Sequence, residues 1–330
     1  MKVAVVILNW NGRSLLEKFL PSIVKFSAEA TVYVADNAST DDSVLFVSNN
    51  FPSVKIIRNE VNGGYAKGYN DALKNLAEEI FVLLNSDVEV TENWLQPIVS
   101  EFNKDNSIVA AQPKILDFKN RDYFEYAGAA GGFLDKYGYP YCRGRIFNTL
   151  EKDKGQYNDI KQIFWASGAC MFVKAAAFWE AGGLDEDYFA HQEEIDLCWR
   201  LQTNGGKIIY VGASSVYHVG GATLESLNPK KTFYNFRNSL LNLLKNVKGF
   251  KAFWAIFVRM LLDSLAAFQF LLSGKPKHFV AIINAHLSFY LLAPKFLQKR
   301  KKYASSKKYF AKKSIVYQYF ILKNKLYTSL

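Results

Sequence analysis

Residues 80–90 read IFVLLNSDVEV. Ile80–Leu84 is an unbroken apolar run, and three side chains bearing oxygen, Asn85, Ser86 and Asp87, follow it at once. A short run of this kind reads as a strand buried on both faces. The pattern recurs on either side. Val3–Leu8 is followed by Asn9 and Asn11, Thr31–Ala35 by Asp36, and Val54–Ile57 by NGGYAKGYN at 62–70, while Ile108–Ala111 supplies a fifth strand. Between the runs lie segments read as helices. Arg13–Phe26 carries Leu15, Leu16, Phe19, Leu20 and Ile23 at helical spacing, and helices are also expected at Gly64–Leu76 and Glu92–Asn103. Alternation of this kind predicts an α/β fold, with a mainly parallel sheet flanked by helices. In such sheets ligands sit at the carboxyl ends of the strands, which makes the polar residues after each strand the candidates for chemistry.

Residues 117–162, rich in Gly, Tyr and Arg with weak periodicity, read as an irregular insertion over that edge. Periodic structure resumes at Phe164–Val173. Helices are expected near Ala175–Ala181 and Gln192–Asn204, short strands at Lys207–Val211 and Ser214–His218, and helix from Lys230 onward. The expected division is an α/β domain over 1–228, in two parts at about 1–112 and about 113–228, and a helical, apolar and basic region over 229–330.

The net charge of +11 is unevenly distributed. Residues 1–225 hold 21 Lys and Arg against 29 acids, whereas residues 226–330 hold 20 against the single acid Asp263. A basic end on an acidic body predicts an anionic partner for that end. The three cysteines, Cys142, Cys170 and Cys198, are far apart and form no zinc-type pair, as expected for reduced thiols in a cytosolic protein.

Each strand-end group suits a specific task. Asp36 can accept hydrogen bonds from a base or ribose. Gly63 and Gly64 let backbone approach a ligand at the start of a helix, where N–H groups favour phosphate. Asn85, Ser86 and Asp87 offer oxygen to a hard cation such as Mg²⁺ or Mn²⁺. Glu193, Glu194 and Asp196 crowd the start of a helix in HQEEIDLCWR, and neighbouring carboxylates raise one another's pKa toward that of a useful base. Each also has an ordinary use, as a cap, a turn or a solvated first turn. His218 closes a strand, and its significance depends on whether Asp87 faces it.

Taken together, VVILNWNG, VADNASTDDS, NGGYAKGYNDAL, LLNSDVEV, GACMFVKAAAFWEAGGLDE, EEIDLCWR and VYHVGG, in this order over about residues 1–245, resemble glycosyltransferase family 2. These are inverting enzymes with a GT-A domain, and the similarity is to the rhamnosyltransferase-like branch that builds bacterial surface polysaccharides. The resemblance implies that Asn9, Asn11 and Asp36 contact the nucleotide, with Gly63, Gly64, Asn85 and Ser86 also lining the nucleotide-sugar site. It implies that Asp87 and His218 hold a divalent cation, and that Glu194 is the catalytic base. Trp165, Ser167, Gly168, Glu193 and Asp196 would border the acceptor. Asn85 stands where the family's metal motif has its first acid, and Glu194 replaces the Asp of the family's Glu-Asp pair. The donor would be a nucleotide-diphosphate sugar, with rhamnose implied by the branch and UDP-linked hexoses as the alternative. The acceptor would be a lipid-linked saccharide, and the resemblance implies a catalytic domain over 1–228 in which about 1–112 binds the nucleotide sugar and about 113–228 forms the acceptor side.

Phe250–Leu272 is apolar and long enough to span a bilayer, but Arg259 and Asp263 interrupt its centre. A helix lying in the interface with that polar stripe outward avoids the cost. A second apolar stretch, Phe279–Leu292, is short for a span, and Lys295–Lys325 adds eleven basic residues and no acid. The expectation is peripheral attachment to an anionic membrane, on the cytoplasmic inner face of the plasma membrane, and no nucleic acid partner; a buried helical cap on the first domain and a hairpin through the bilayer are the alternatives. Two rival functions are a sugar-phosphate nucleotidyltransferase and a membrane-bound nucleotide-sugar binding or scaffold protein with a decayed site. NWNGRS lacks the Gly-rich basic loop of the first, and the Asn85 and Glu194 departures are the only support for the second.

Overall fold

The computed structural model describes residues 1–220 and 228–330. The first half runs β1 (Val3–Asn9), α1 (Arg13–Lys25), β2 (Thr31–Asp36), α2 (Ser43–Asn50), β3 (Lys55–Arg58), α3 (Gly64–Leu73), β4 (Ile80–Asn85), β5 (Val88–Val90), α4 (Gln96–Lys104) and β6 (Ile108–Asp117). The second half continues with β7 (Gly132–Leu134), β8 (Pro140–Cys142), β9 (Arg145–Ile146), β10 (Thr149–Leu150), β11 (Ile160–Gln162), β12 (Cys170–Lys174), α5 (Ala175–Glu180), α6 (Glu193–Thr203) and β13 (Lys207–His218). Three long helices follow, α7 (Pro229–Asn246), α8 (Phe250–Leu272) and α9 (Pro276–Tyr303).

The main sheet has strand order β11-β13-β6-β12-β4-β1-β2-β3, with β5 paired to β13. β3, β2, β1 and β4 are mutually parallel, and β13 is parallel to β6; β12 lies antiparallel between β4 and β6. Alternate residues of β1 enter two cores. Val3, Val5 and Ile7 join one with Leu16, Leu20 and Phe102, while Ala4 and Val6 join the other with Tyr69, Leu73 and Leu197. This is why the strand is apolar throughout rather than alternating.

Two expectations change here. Residues 117–162 are not irregular: they contain a four-stranded antiparallel meander in the order β10-β9-β8-β7. Strands of two or three residues are too short to leave a period in the sequence. The two strands expected over 207–218 are one, β13, with a register shift between Val211 and Ser215. Such a bulge bends a strand and re-aims the side chains beyond it, here toward His218.

The C-terminal helices also sit differently from expectation. Arg259 and Asp263 face inward, not outward, and both are buried. They pair at 2.7 Å, the Tyr139 hydroxyl donates to Asp263 at 2.9 Å, and the guanidinium lies 3.7 Å from the centre of the Tyr139 ring. Buried charges need such partners, and the loop between β7 and β8 provides them. The outward face of α8 is therefore the apolar one, with Phe253, Trp254, Phe257, Leu261, Leu265 and Phe268 all exposed. Nor is the basic tail a free arm. Lys295 pairs with Asp187 at 2.7 Å, Lys299 pairs with Asp185 and Asp187, and the Ile315 N–H donates to Asp135 at 2.9 Å.

Candidate functional site

The ends of β1, β2 and β4 meet at one edge, since Asn9 is in register with Asp36, and Leu8 with Asn85. Asn9 is wholly buried. Its amide donates to Ser43 Oγ at 3.0 Å and Ser39 Oγ at 3.2 Å, and reaches Asp36 Oδ1 at 3.4 Å. Asn9 thus braces Asp36 through its amide nitrogen, while its Oδ1 has no partner among the described residues. Asn11 is exposed, with a left-handed backbone (φ 50°), and its Oδ1 accepts from the Thr40 N–H at 2.7 Å, pinning the loop after β2. Gly12 is dictated by packing, because a Cβ there would lie 2.4 Å from Asn9 Oδ1.

The start of α3 is partly covered. Gly63 caps it, and Gly64 has φ 76° and lies against Phe189, whose carbonyl would sit 2.7 Å from a Cβ at Gly64. Gly64 N–H donates to Asn62 Oδ1 at 3.0 Å and Tyr65 N–H to the Phe189 carbonyl at 3.2 Å. Two of the N–H groups expected to meet phosphate are therefore engaged within the protein. Phe189, His191 and Gln192 all have left-handed backbones, a concentration of strain just ahead of Glu193 and Glu194. Gln192 is held by Ser239 of α7 at 2.7 Å.

Asp87 and His218 come together. β5 and β13 pair so that His218 faces Val88, and His218 Nε2 lies 3.1 Å from Asp87 Oδ1 and 3.4 Å from Asn85 Nδ2. Ser86 lies between them in sequence and is half-buried. The other ring nitrogen of His218 lies 3.3 Å from Glu125 Oε2. Burial opposes charge on His218, but the Glu125 and Asp87 carboxylates outweigh it and raise the imidazole to about 10. Burial likewise raises the Asp87 carboxyl, and the hydrogen bond and charge of His218 more than offset this, leaving it below its ordinary value. Glu125 went unnoticed in the sequence. Its N–H bonds to Ile115 at the end of β6, and nothing in its local sequence marks it.

These residues fit a divalent cation. A carboxylate and an imidazole converge, and a second carboxylate lies beside the far nitrogen, where a ligating histidine has its outer partner. Among the described residues no three such side chains share one point, so the remaining positions on a cation would fall to ligand oxygens.

Glu194 opens α6 and is half-buried, whereas Glu193 is buried. Burial raises the Glu194 carboxyl to about 7. Glu193 is pushed well above its usual range, by burial first and by the Glu194 charge next, and its Oε2 has no partner among the described residues. Burial raises the Tyr65 hydroxyl well above its ordinary value, and that hydroxyl donates to the Gly168 carbonyl at 2.7 Å. Burial raises the Cys142 thiol; Arg145 opposes this, and the Glu125 and Glu194 charges add to it.

Three residues expected at the acceptor are buried and engaged within the protein. Asp196 is wholly buried between Arg200 and Lys245, each at 2.8 Å, with Asn246 at 3.0 Å, and these cations hold its carboxyl far below normal against the effect of burial. Helical geometry turns it roughly 200° from Glu194, toward α7. Trp165 is buried and donates its indole N–H to the Phe133 carbonyl at 3.1 Å. Ser167 is buried, and its hydroxyl accepts from the Ala169 N–H at 3.2 Å. Gly168 is half-buried, and its carbonyl accepts from Tyr65. Gly221 of the VYHVGG segment lies outside the described residues. A separate hollow of about 220 Å³, lined by Gln162, Trp199, Gln202 and Lys307, adjoins Lys207 at the opposite end of β13 from His218.

Known proteins show the same organisation. Residues 4–182 match the family described as Glycosyl transferase family 2. An N-acetylglucosaminyl-diphospho-decaprenol L-rhamnosyltransferase of Mycobacterium tuberculosis is 26% identical over 233 residues, which cover 65% of this chain and 75% of that one. In fold the chain resembles GalNAc-T7 crystallised with UDP, GalNAc and Mn²⁺ (TM-score 0.61, 21% identity, 76% of this chain), although it spans only 49% of that protein. It also resembles S. aureus TarS in complex with UDP-GlcNAc (TM-score 0.59, 17% identity, 90% of this chain and 83% of that one). The architecture is that of a GT-A glycosyltransferase, and the match over more than half its length shows that the chain belongs to glycosyl transferase family 2.

Proposed function

We propose that this glycosyltransferase moves a sugar, rhamnose in our reading, with inversion, from a nucleotide-diphosphate donor to a hydroxyl of a lipid-linked saccharide in bacterial surface polysaccharide synthesis. The observation that carries the reading is the Asp87–His218 pair, 3.1 Å apart, with Glu125 3.3 Å from the other ring nitrogen. Asp87 and His218 are the residues that would hold a divalent cation. When bound, such an ion supplies neutralisation of the charge on the leaving diphosphate.

The remaining work belongs to the chain itself. Asp36, braced by Asn9, accepts hydrogen bonds from the nucleoside, while the Asn11-pinned loop and the strained Phe189–Gln192 loop border it. Glu194, raised to about 7, is half ionised near neutral pH and takes the proton of the acceptor hydroxyl. The freed oxygen forms a bond to the anomeric carbon as the bond to the diphosphate oxygen breaks, and the nucleoside diphosphate departs. One displacement of this kind inverts the configuration.

The relative from Mycobacterium tuberculosis acts, by its name, on a diphospho-decaprenol-linked sugar, which supports a lipid-linked acceptor here. The apolar face of α8 supports a seat for the enzyme on a bilayer, with the helix lying in the interface and Arg259 and Asp263 turned to the protein. Three buried, unpaired cysteines suit the cytoplasmic side, so we assign the inner face of the plasma membrane. The test is a panel of nucleotide sugars with Mn²⁺ or Mg²⁺, scored for binding and hydrolysis. Cation-dependent turnover of one donor is expected, and the absence of any cation-dependent donor binding across the panel would overturn the reading.

A further inference from the structure

Beyond Glu125, on the side away from Asp87, lies a group of cations that the transfer chemistry does not use. Arg145 of β9 is 6% exposed. Among the described residues its one acceptor is Cys142 Sγ at 3.5 Å, and its Nε has none. A buried guanidinium without a carboxylate is costly, so its retention points to an anion that arrives with a ligand. Lys231, half-buried in the first turn of α7, stands beside it. Tyr126 lies between the two, its ring centre 4.6 Å from the Arg145 guanidinium carbon and 5.6 Å from Lys231 Nζ. Burial holds the Lys231 ammonium below its ordinary value; Glu125 opposes this and the charge of Arg145 adds to it. The nearby acid, Glu125, is already taken up by His218 and by the Ala127 N–H.

The surroundings indicate which anion. Thr232, next to Lys231, lies 2.8 Å from His278 at the start of α9, and His278 stacks at 4.9 Å on Phe270 near the end of α8. At the same corner a hollow of about 400 Å³ is lined by Pro229, Pro276, Val280 and Lys277. Leu271, Leu272 and Val280 are exposed there and continue the apolar face of α8. The cations and the apolar hollow thus share the first turn of α7, which carries both Lys231 and Pro229. A nucleoside has no use for that apolar surface, whereas a diphosphate carried on a hydrocarbon chain matches both parts.

We propose that Arg145 and Lys231, bracketing Tyr126, bind the diphosphate of a lipid-linked acceptor, whose chain leaves along the Pro229–Pro276–Val280 hollow. This rests on the lipid-acceptor reading above. It sets the acceptor's charged group beyond Glu125, so that the sugar at its head can reach toward Glu194.

The test uses the full-length protein with farnesyl diphosphate, farnesol, and UDP or dTDP with Mn²⁺ as binding probes. Wild type should bind farnesyl diphosphate and not farnesol. Lys231→Ala should weaken farnesyl diphosphate binding about tenfold, as expected on loss of one charge-assisted contact, and leave nucleoside diphosphate binding within about twofold. Arg145→Lys should do the same. Should that buried variant fail to fold, Lys231→Glu carries the test with a larger loss. Val280→Asp should reduce binding of farnesyl diphosphate more than that of dimethylallyl diphosphate, whose chain is too short to fill the hollow. If Lys231→Ala weakens nucleoside diphosphate binding equally, the cations belong to the donor and the proposal fails. If wild type binds nucleoside diphosphate but not farnesyl diphosphate, this subsite fails while the transferase reading stands. If it binds neither, both fail.

Discussion

Asp87 and His218 are 131 positions apart in the chain and 3.1 Å apart in space. Two separate pieces of backbone bring this about. The turn after β4 delivers Asp87, and the antiparallel pairing of β5 with β13 sets His218 across from Val88. Glu125, from the segment between β6 and the meander, closes the group on the far side of the ring. If the pair is a cation site, Glu125→Gln should weaken Mn²⁺ affinity by about 10- to 100-fold while leaving the metal-binding pair intact, the usual effect of removing an outer carboxylate. A Mn²⁺ titration of donor turnover reads this directly; an unchanged Mn²⁺ requirement would detach Glu125 from the site.

The pH dependence follows from Glu194. Its carboxyl is raised to about 7 by burial, and a base works in its ionised form. Transfer should therefore rise as pH increases through 7 and level off above it. An ordinary exposed Glu would be fully active already near pH 5.5. A kcat/KM profile flat from pH 5.5 to 8 would place the base elsewhere.

Asp196 makes a contrasting prediction two residues further on. Its partners, Arg200 and Lys245, are themselves buried, so Asp196→Asn should cost about 3–5 kcal/mol of stability in chemical denaturation. The depressed carboxyl gives the sign of the pH effect. Its contribution is fully present above about pH 4, the unfolded value, and is lost as pH falls toward the lower folded value. Acid unfolding of the wild type should lose this contribution, and Asp196→Asn should show a shallower acid limb.

Much of the catalytic domain was legible because each core strand is apolar on both faces and ends abruptly in polar residues. That signal located Asn9, Asp36, Asn85 and Asp87 at one edge. The strand signal does not separate a residue that touches ligand from one that braces its neighbours, as Asn9 braces Asp36. Glu125 and the meander were invisible for a related reason: strands of two or three residues carry no period, and a lone acid acquires meaning only from what it faces. The orientation of α8 was not legible either. One i,i+4 ion pair on an apolar helix allows two seatings, and Tyr139, 124 positions away from Asp263, decides between them.

That orientation changes how membrane attachment should be tested. Deleting 295–330 would remove Ile315 from Asp135 and Tyr327 from Phe133, and so disturb the meander. Substitutions on the exposed face are cleaner. Phe257→Ser with Leu265→Ser should lower binding to anionic phospholipid vesicles by at least about tenfold, since each side chain loses roughly 1.5–3 kcal/mol of potential burial. The melting temperature should stay near that of the wild type. Because Lys295 and Lys299 are engaged with Asp185 and Asp187, binding should persist in part at high salt. Complete release by salt alone would favour a purely electrostatic attachment.

The account is tested most directly by Glu194→Gln, assayed for donor binding and for sugar transfer in the same preparation. Donor binding with Mn²⁺ should remain within about twofold of wild type, and transfer should fall by about 10²- to 10⁴-fold, the usual contribution of a positioned base. Near-normal transfer by this variant would contradict the mechanism.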